Sequence, residues 1–271
     1  MTYEDSNPPG PKHQALGTQN LQSMSQRQAL FLNFDIKAQP DEVTCGPTCL
    51  HALYQYYGDS ISLKDVINEV KNLKTGGTLA VMMGNHALRR GYQAHIYTYN
   101  LHIFDPTWFK YSPKKIVSFL RKQMRYKSSS KKLQVASKAY IKFLEAGGNI
   151  RYAEMNEQLI KGYLRRSIPI LAGLSATYLY GTSREIPTNN KYDSIKGEPV
   201  GHFAVINGYD EPHNYVYLAD PMNPNPLKSQ YYSVNFDRLI NSIMLGIVTY
   251  DANVLIIEPK KVDKGAGKRA K

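Results

Sequence analysis

The sequence contains only two cysteines, Cys45 and Cys49, which lie four positions apart. So few cysteines exclude a disulfide framework and a cysteine-rich zinc site, and they favour a reducing, cytoplasmic location. No stretch reaches the roughly 18–20 apolar residues that a membrane helix needs, and the polar residues 1–28 do not resemble a signal peptide. The glycines lack the spacing of a phosphate-binding loop, so we expect no cofactor and no metal.

Positive charge is concentrated in one central segment and one tail. The net charge is +12 over 271 residues, yet eleven basic and no acidic residues lie between Lys110 and Lys142. The tail from Lys260 to Lys271 adds six basic residues against Asp263. Such a face is usually just solvated, but it also suits an acidic partner or nucleic acid, which we predict as a possible ligand of residues 110–146.

The order of the predicted elements indicates an α+β fold, with a helical N-terminal part packed on a C-terminal antiparallel sheet. Between these parts, residues 113–126 and 131–146 each have one apolar and one cationic face, which predicts a helical hairpin. We therefore predict a flexible leader (1–28), one folded domain (29–258) with a basic helical hairpin inserted at about 110–146, and a basic disordered tail (259–271).

Cys45 is a candidate nucleophile because it lies at the predicted start of a helix. Pro47 suits the first helical turn and Gly58 the C-terminal end, and apolar residues between them keep helical spacing. A cysteine attacks as the thiolate, which the N-terminus of a helix favours. Cys49, one turn later, is expected to face the core. Taken alone, Cys45 is better interpreted as a small buried apolar residue.

Gln39 lies six residues before Cys45, across a loop that contains Pro40. Acyl transfer needs hydrogen-bond donors directed at the developing oxyanion. The Gln39 amide and the Cys45 backbone N–H would be such donors, although a solvated loop glutamine has the same sequence appearance.

A base for this nucleophile is expected among the seven histidines. His202 opens one apolar strand candidate and Asp220 closes the next. If the two strands form a hairpin centred near Glu211, His202 and Asp220 face each other directly, and Ala204 pairs with Leu218. A histidine and an aspartate that merely end two strands are the alternative.

Three blocks together carry a family resemblance. They are Gln39 with Thr44-Cys45-Gly46-Pro47-Thr48-Cys49-Leu50, Gly201-His202-Phe203-Ala204-Val205-Ile206-Asn207-Gly208-Tyr209-Asp210, and Ala219-Asp220-Pro221. The sequence resembles the bacteriocin-processing (double-glycine) branch of the papain-like cysteine peptidases, in a stand-alone form without a transporter. The resemblance implies a papain-like fold with Cys45 as nucleophile, His202 as general base and acid, Asp220 as its orienting group, and Gln39 in the oxyanion hole. In that family the peptidase is usually fused to a membrane transporter and cuts leader peptides after Gly-Gly.

Two classes of function follow from these observations. The first is a thiol hydrolase that cleaves a peptide or amide bond, acting as a peptidase on a small or glycine-containing peptide, or as an amidase or acyl-transfer enzyme of the same fold. The second is a binding module in which the basic hairpin meets nucleic acid or an acidic partner. We favour the hydrolase, because no aromatic-interleaved RNA motif accompanies the basic residues.

Overall fold

The computed structural model describes residues 29–71, 73 and 77–260, so the predicted leader and nearly all of the predicted tail lie outside the described residues. The helices are α1 (Cys45–Tyr56), α2 (Leu63–Glu69), α3 (Ala80–Arg89), α4 (Pro113–Tyr126), α5 (Lys131–Glu145), α6 (Glu157–Leu164), α7 (Ala176–Tyr180) and α8 (Phe236–Leu245). The strands are β1 (Ala29–Phe31), β2 (Tyr92–Thr98), β3 (Asn149–Arg151), β4 (Ile170–Ser175), β5 (Gly201–Asp210), β6 (Tyr215–Ala219), β7 (Tyr231–Asn235) and β8 (Asn253–Pro259).

The strands form one sheet in the order β3-β2-β8-β4-β5-β6-β7, and β1 pairs with β5. All described pairings are antiparallel except β2 with β3. The predicted α+β class with an antiparallel sheet is confirmed. Strands β1 and β2, from the N-terminal half, also belong to the sheet. β2 pairs with β8 and β1 with β5, so these strands have no unpaired edge there.

Both faces of the sheet are buried. On β5, Phe203 and Val205 join a core formed with α1, α3, α4 and α5. The alternate residues Ala204 and Ile206 join a second core formed with α6 and α8. Burial on two sides explains why β4 and β5 are nearly continuous apolar runs without the alternation of a half-exposed strand.

Helices α4 and α5 form the hairpin that the sequence predicts. Their apolar sides, including Leu120 and Phe143, are fully buried in the first core. Their lysines and arginines lie on the opposite, solvent side, as the amphipathic pattern requires. Within the described residues, no helix has both the length and the apolar character that crossing a membrane demands.

Candidate active site

Cys45 is the first residue of α1, at the helix N-terminus that the sequence predicts. Its side chain is half-buried, and Pro47 in the same turn has no N–H group that would need a partner. A Cβ atom added at Gly46 would lie 2.6 Å from Thr78 Cγ2, so glycine lets the start of α1 pack tightly against that loop. The Cys45 sulfur is thereby held at the edge of the core, facing a cleft.

Cys49 has a different environment one helical turn later. Its side chain is completely buried, and its Sγ donates to the Phe203 carbonyl oxygen at 3.3 Å. Burial raises the pKa of the Cys49 thiol, and the proximity of Cys45 and Asp220 raises it further. Of the two cysteines, only Cys45 is placed to react.

His202 is buried at the start of β5, and its Nε2 donates to Asp220 Oδ1 at 2.8 Å. Burial lowers the pKa of His202, but the Asp220 carboxylate and the Cys45 sulfur outweigh this and raise it to about 10. The imidazole is therefore held as the imidazolium near neutral pH, between a carboxylate on one side and the cysteine on the other.

The Asp220 carboxylate is fully buried and receives four hydrogen bonds. Besides His202, the Met222 backbone N–H donates to Oδ1 at 2.9 Å, and the hydroxyls of Tyr180 and Tyr232 donate to Oδ2 at 2.7 and 2.6 Å. Burial raises the pKa of Asp220, but His202 and the two tyrosines overcome it and hold that pKa below its ordinary value. The carboxylate is thus fixed in orientation and kept ionised.

The predicted register of the β5–β6 hairpin is wrong by two residues. Leu218 pairs with Ile206, not with Ala204, and a bulge at Asn207 shifts the ladder near the turn by one more residue. The shift near the open end is an even number, so His202 and Asp220 stay on the same face. Their side chains meet diagonally instead of directly opposite, a span that a histidine can bridge.

Gln39 lies next to Pro221, the residue after Asp220, and its side-chain amide already makes one hydrogen bond. Its backbone N–H donates to the Pro221 carbonyl at 2.8 Å, which ties the loop before α1 to the residue after Asp220. Its side-chain Nε2 donates to the Asp41 carbonyl at 2.9 Å, and its Oε1 is buried without a hydrogen-bond partner in the described residues. The predicted oxyanion-hole role of Gln39 therefore stays a prediction, and it falls to the second hydrogen of Nε2, because the first is donated to Asp41.

Two adjoining cavities, of about 380 and 180 Å³, meet at Cys45 and Gly201. The larger is lined by His202 and by side chains from α7 and the loop before β5, among them Tyr180, Glu185, Tyr192, Glu198 and Val200. The smaller is lined by Thr78, Leu79, Lys132, Phe203, Thr249 and Asp251, among others.

Asp251 and Lys132 are site residues that the sequence analysis missed. Asp251 is buried in the wall of the smaller cavity, and burial raises the pKa of its carboxyl to about 7, against smaller opposing effects of Thr249, Lys132 and His202. Lys132 reaches the same cavity from the basic hairpin, with Nζ donating to the Thr249 carbonyl at 3.2 Å and lying 4.3 Å from the Tyr250 ring centre. Neither residue belongs to a local motif, since only the fold brings them to Cys45.

The stability of the Asp251→Asn variant is expected to exceed that of the wild type by a growing amount as the pH rises. The folded-state pKa of about 7 exceeds the unfolded value of about 3.9, so the wild type loses stability as the pH rises through this window. Between about pH 5 and 8 the loss attributable to Asp251 is about 2 kcal/mol. Thermal unfolding of both proteins at the two pH values measures it, and parallel changes in both would contradict the buried-carboxyl account.

During acid titration, the Tyr232→Phe variant is expected to unfold at a higher pH than the wild type does. Because the folded-state pKa of Asp220 is lowered, its stabilisation is present above the unfolded pKa and is lost as the pH falls through the folded one. Removing the Tyr232 hydroxyl weakens that effect and costs about 1–2 kcal/mol near neutral pH. Tyr231→Phe is the matched control, because that hydroxyl donates to Asp35 instead. An equal shift of the acid midpoint in both variants would contradict the role given to Tyr232.

By sequence, the chain is a relative of the C39 peptidases. The sequence profile of the Peptidase_C39 like family matches residues 31–242, which is more than half of the chain. The chain belongs to that family. The match includes Gln39, Cys45, His202 and Asp220 within its bounds.

Two solved structures are also similar to it. A protein from Bacillus anthracis described as a C39-like peptidase is 13% identical, with a TM-score of 0.48, covering 85% of this chain and 98% of that one. A double glycine motif protease from an AMS/PCAT transporter, solved in complex with the leader peptide, is 14% identical, with a TM-score of 0.40, covering 86% and 99%. No curated protein matches the chain by sequence.

Proposed function

We propose that this protein is a papain-like cysteine hydrolase that cleaves peptide or amide bonds through a thioester at Cys45. The observation that carries the proposal is the shared cavity of Cys45 and His202, with His202 bonded at 2.8 Å to the buried Asp220. A helix-start cysteine, a histidine and a carboxylate that orients it are the three parts that nucleophilic thiol catalysis requires.

The proposed reaction proceeds in two halves. The Cys45 thiolate attacks the substrate carbonyl carbon, and the carbonyl electrons move onto its oxygen. The His202 imidazolium then gives its proton to the leaving amine as the C–N bond breaks and the thioester remains. In the second half the now neutral His202 takes a proton from water, the hydroxide attacks the thioester, and the acid product leaves with the thiolate restored.

Asp220 acts on His202, not on the substrate. Its carboxylate holds the ring through Nε2, which leaves Nδ1 as the nitrogen that faces Cys45 and moves the proton. Tyr180 and Tyr232 fix the carboxylate in turn. For the oxyanion we propose the Cys45 backbone N–H and the Gln39 Nε2 hydrogen that is not donated to Asp41.

The substrate is proposed to be a peptide, with a small or glycine residue next to the scissile bond. The small residue is proposed from the family resemblance alone, because a cavity of 180 Å³ also admits a larger side chain. The larger cavity bears Glu185 and Glu198, with Glu42 at the junction of the two, and no lysine or arginine is among its described lining residues. Negative charge on that wall favours a neutral or basic neighbouring side chain.

An amidase or acyl-transfer enzyme would use the same thioester, and it differs only in the substrate or in the acceptor that replaces water. Both free cysteines are compatible with a reducing compartment, and we propose the cytoplasm as the site of action.

The test is a substrate profile. A library of peptides and simple amides is incubated with the wild type and with the Cys45→Ala variant, and the products are identified by mass. We expect internal peptide cleavage that only the wild type performs. Cleavage confined to non-peptide amides would favour the amidase, and products carrying an added amine would favour acyl transfer. If the two proteins give identical products, the proposed function is wrong.

A further inference from the structure

Two grooves on the outer side of the molecule flank helix α5, away from the cleft at Cys45. The first, of about 350 Å³, runs between α3 and α5 and is lined by Lys71, Met82, Asn85, Arg89, Val135, Lys138, Ala139 and Lys142. The second, of about 480 Å³, runs between α4 and α5 and is lined by Arg121, Met124, Arg125, Gln134, Lys138 and Ile141. They share Lys138 and no residue with either cavity at Cys45.

Both grooves have an apolar floor. Met82, Val135 and Ala139 supply it in the first groove, and Met124 and Ile141 supply it in the second. Val135 is 42% exposed, so a partner can reach this side chain on an otherwise cationic helix face. Unbranched methionine side chains adapt to partners of varied shape, which is why they recur at binding surfaces.

The rim of the grooves is cationic and mostly unpaired. Within the part of the chain that the structure describes, none of Lys71, Lys138 and Lys142 has a carboxylate within 4 Å. Arg89 donates only to backbone carbonyls, at 3.4 Å. Arg121 pairs with Glu145 at 2.6 Å, so one of the six cations on the rim is neutralised by an acid of the hairpin itself.

We propose that these two grooves dock an acidic amphipathic peptide segment of a partner protein. Apolar side chains of the segment would fill the floors on either side of α5, and its carboxylates would pair with the rim cations. The lining residues Val135, Lys138, Ala139 and Lys142 follow the i, i+3, i+4, i+7 spacing of one helix face, about 11 Å long. A partner helix of about two turns matches that length.

The chemistry of the floor favours a peptide over nucleic acid. No aromatic ring lines either groove among the described residues, so unstacked bases would find no stacking partner. Phosphates need cations but gain nothing from exposed methionine and valine, whereas the apolar side of an amphipathic acidic helix uses both.

Direct binding tests this proposal independently of catalysis, because full-length Cys45→Ala protein is used and its affinity does not depend on turnover. The probe is a fluorescent peptide of about 14 residues with leucines on one helical face and glutamates on the other. A scrambled peptide of the same composition, a version with lysine for glutamate, and a duplex DNA are compared with it. We expect the amphipathic acidic peptide to bind about tenfold more tightly than any of them, with affinity falling as salt is raised.

Variants locate the site. Lys138→Glu reverses the charge shared by both grooves and is expected to weaken binding about fivefold to tenfold. Lys122→Glu makes the same change on an exposed α4 residue outside the grooves and is expected to change affinity less than twofold. Val135→Ser is expected to weaken the amphipathic peptide but not the scrambled one. Equal effects of Lys138→Glu and Lys122→Glu, equal binding of the scrambled peptide, or tighter binding of DNA would each overturn the proposal.

Discussion

Replacing Asp220 by alanine is expected to destabilise the protein by about 3–5 kcal/mol and to lower kcat/KM by at least about 10³-fold. The stability loss follows from burial, because the His202 ring, two tyrosine hydroxyls and the Met222 N–H would all lose their acceptor where no water replaces it. The activity loss follows because His202 would no longer be held with Nδ1 toward Cys45.

The chain offers a matched control for this variant at the end of β5 opposite His202. Asp210 also bonds a histidine, His213, at the same distance of 2.8 Å, but the His213 side chain is 68% exposed. Asp210→Ala is therefore expected to cost less than about 1 kcal/mol and to leave turnover unchanged. Denaturant unfolding and peptide hydrolysis measure both variants. If the two variants lost similar amounts of unfolding free energy, burial would not be what makes the Asp220–His202 pair stabilising.

Replacing Cys45 by alanine is expected to remove turnover, with a loss of at least about 10⁴-fold in kcat, because no other group can form the thioester. The fold is expected to persist, since the Cys45 side chain is only half-buried at a helix start. The midpoint of thermal unfolding checks the second point.

Cys49→Ala is the control for that experiment. This variant also removes a cysteine sulfur from α1, but Cys49 lies one turn after Cys45 and its side chain is completely buried. The expected cost is stability alone, about 1–2 kcal/mol from the lost packing, with kcat unchanged within about twofold. A Cys45→Ala protein that still turns over substrate at the wild-type rate, or a Cys49→Ala protein that does not, would reassign the nucleophile.

Local patterns in the sequence predict much of this fold. Helices α1 and α4 begin where Pro47 and Pro113 suit a first turn, and the apolar periodicity of α4 and α5 predicts which sides are buried. The antiparallel β5–β6 hairpin follows from two apolar runs around a polar turn. These features depend on neighbours within a few residues of each other, which a single sequence shows directly.

The register of that hairpin could not be predicted, because the turn lies between Asp210 and Tyr215 and is not centred on Glu211, and because the bulge at Asn207 has no local signature. The pairing of His202 with Asp220 nonetheless follows, since an even shift preserves the face of each side chain. The predicted pairing of the two side chains is therefore confirmed, although the register from which it was predicted is wrong.

The remaining site residues come from distant parts of the chain. Tyr180 and Tyr232 reach Asp220 from α7 and β7, and Lys132 and Asp251 reach the smaller cavity from α5 and the start of β8. Nothing in their immediate sequence distinguishes them from other tyrosines, lysines and aspartates. Gln39 differs from these residues. Its spacing from Cys45 is visible in the sequence, but the hydrogen bond from its amide to Asp41 is not.

The central claim is that Cys45 is an activated nucleophile, and its rate of alkylation tests this most directly. Iodoacetamide is added to the native protein at about pH 6, where an ordinary thiol with a pKa of about 8.5 reacts slowly. The modification of each cysteine is followed by mass spectrometry, with glutathione as the reference thiol. We expect Cys45 to react at least about tenfold faster than glutathione, and Cys49 to react far more slowly than either. Labelling of Cys45 no faster than glutathione, or slow and equal labelling of both cysteines, would contradict the account.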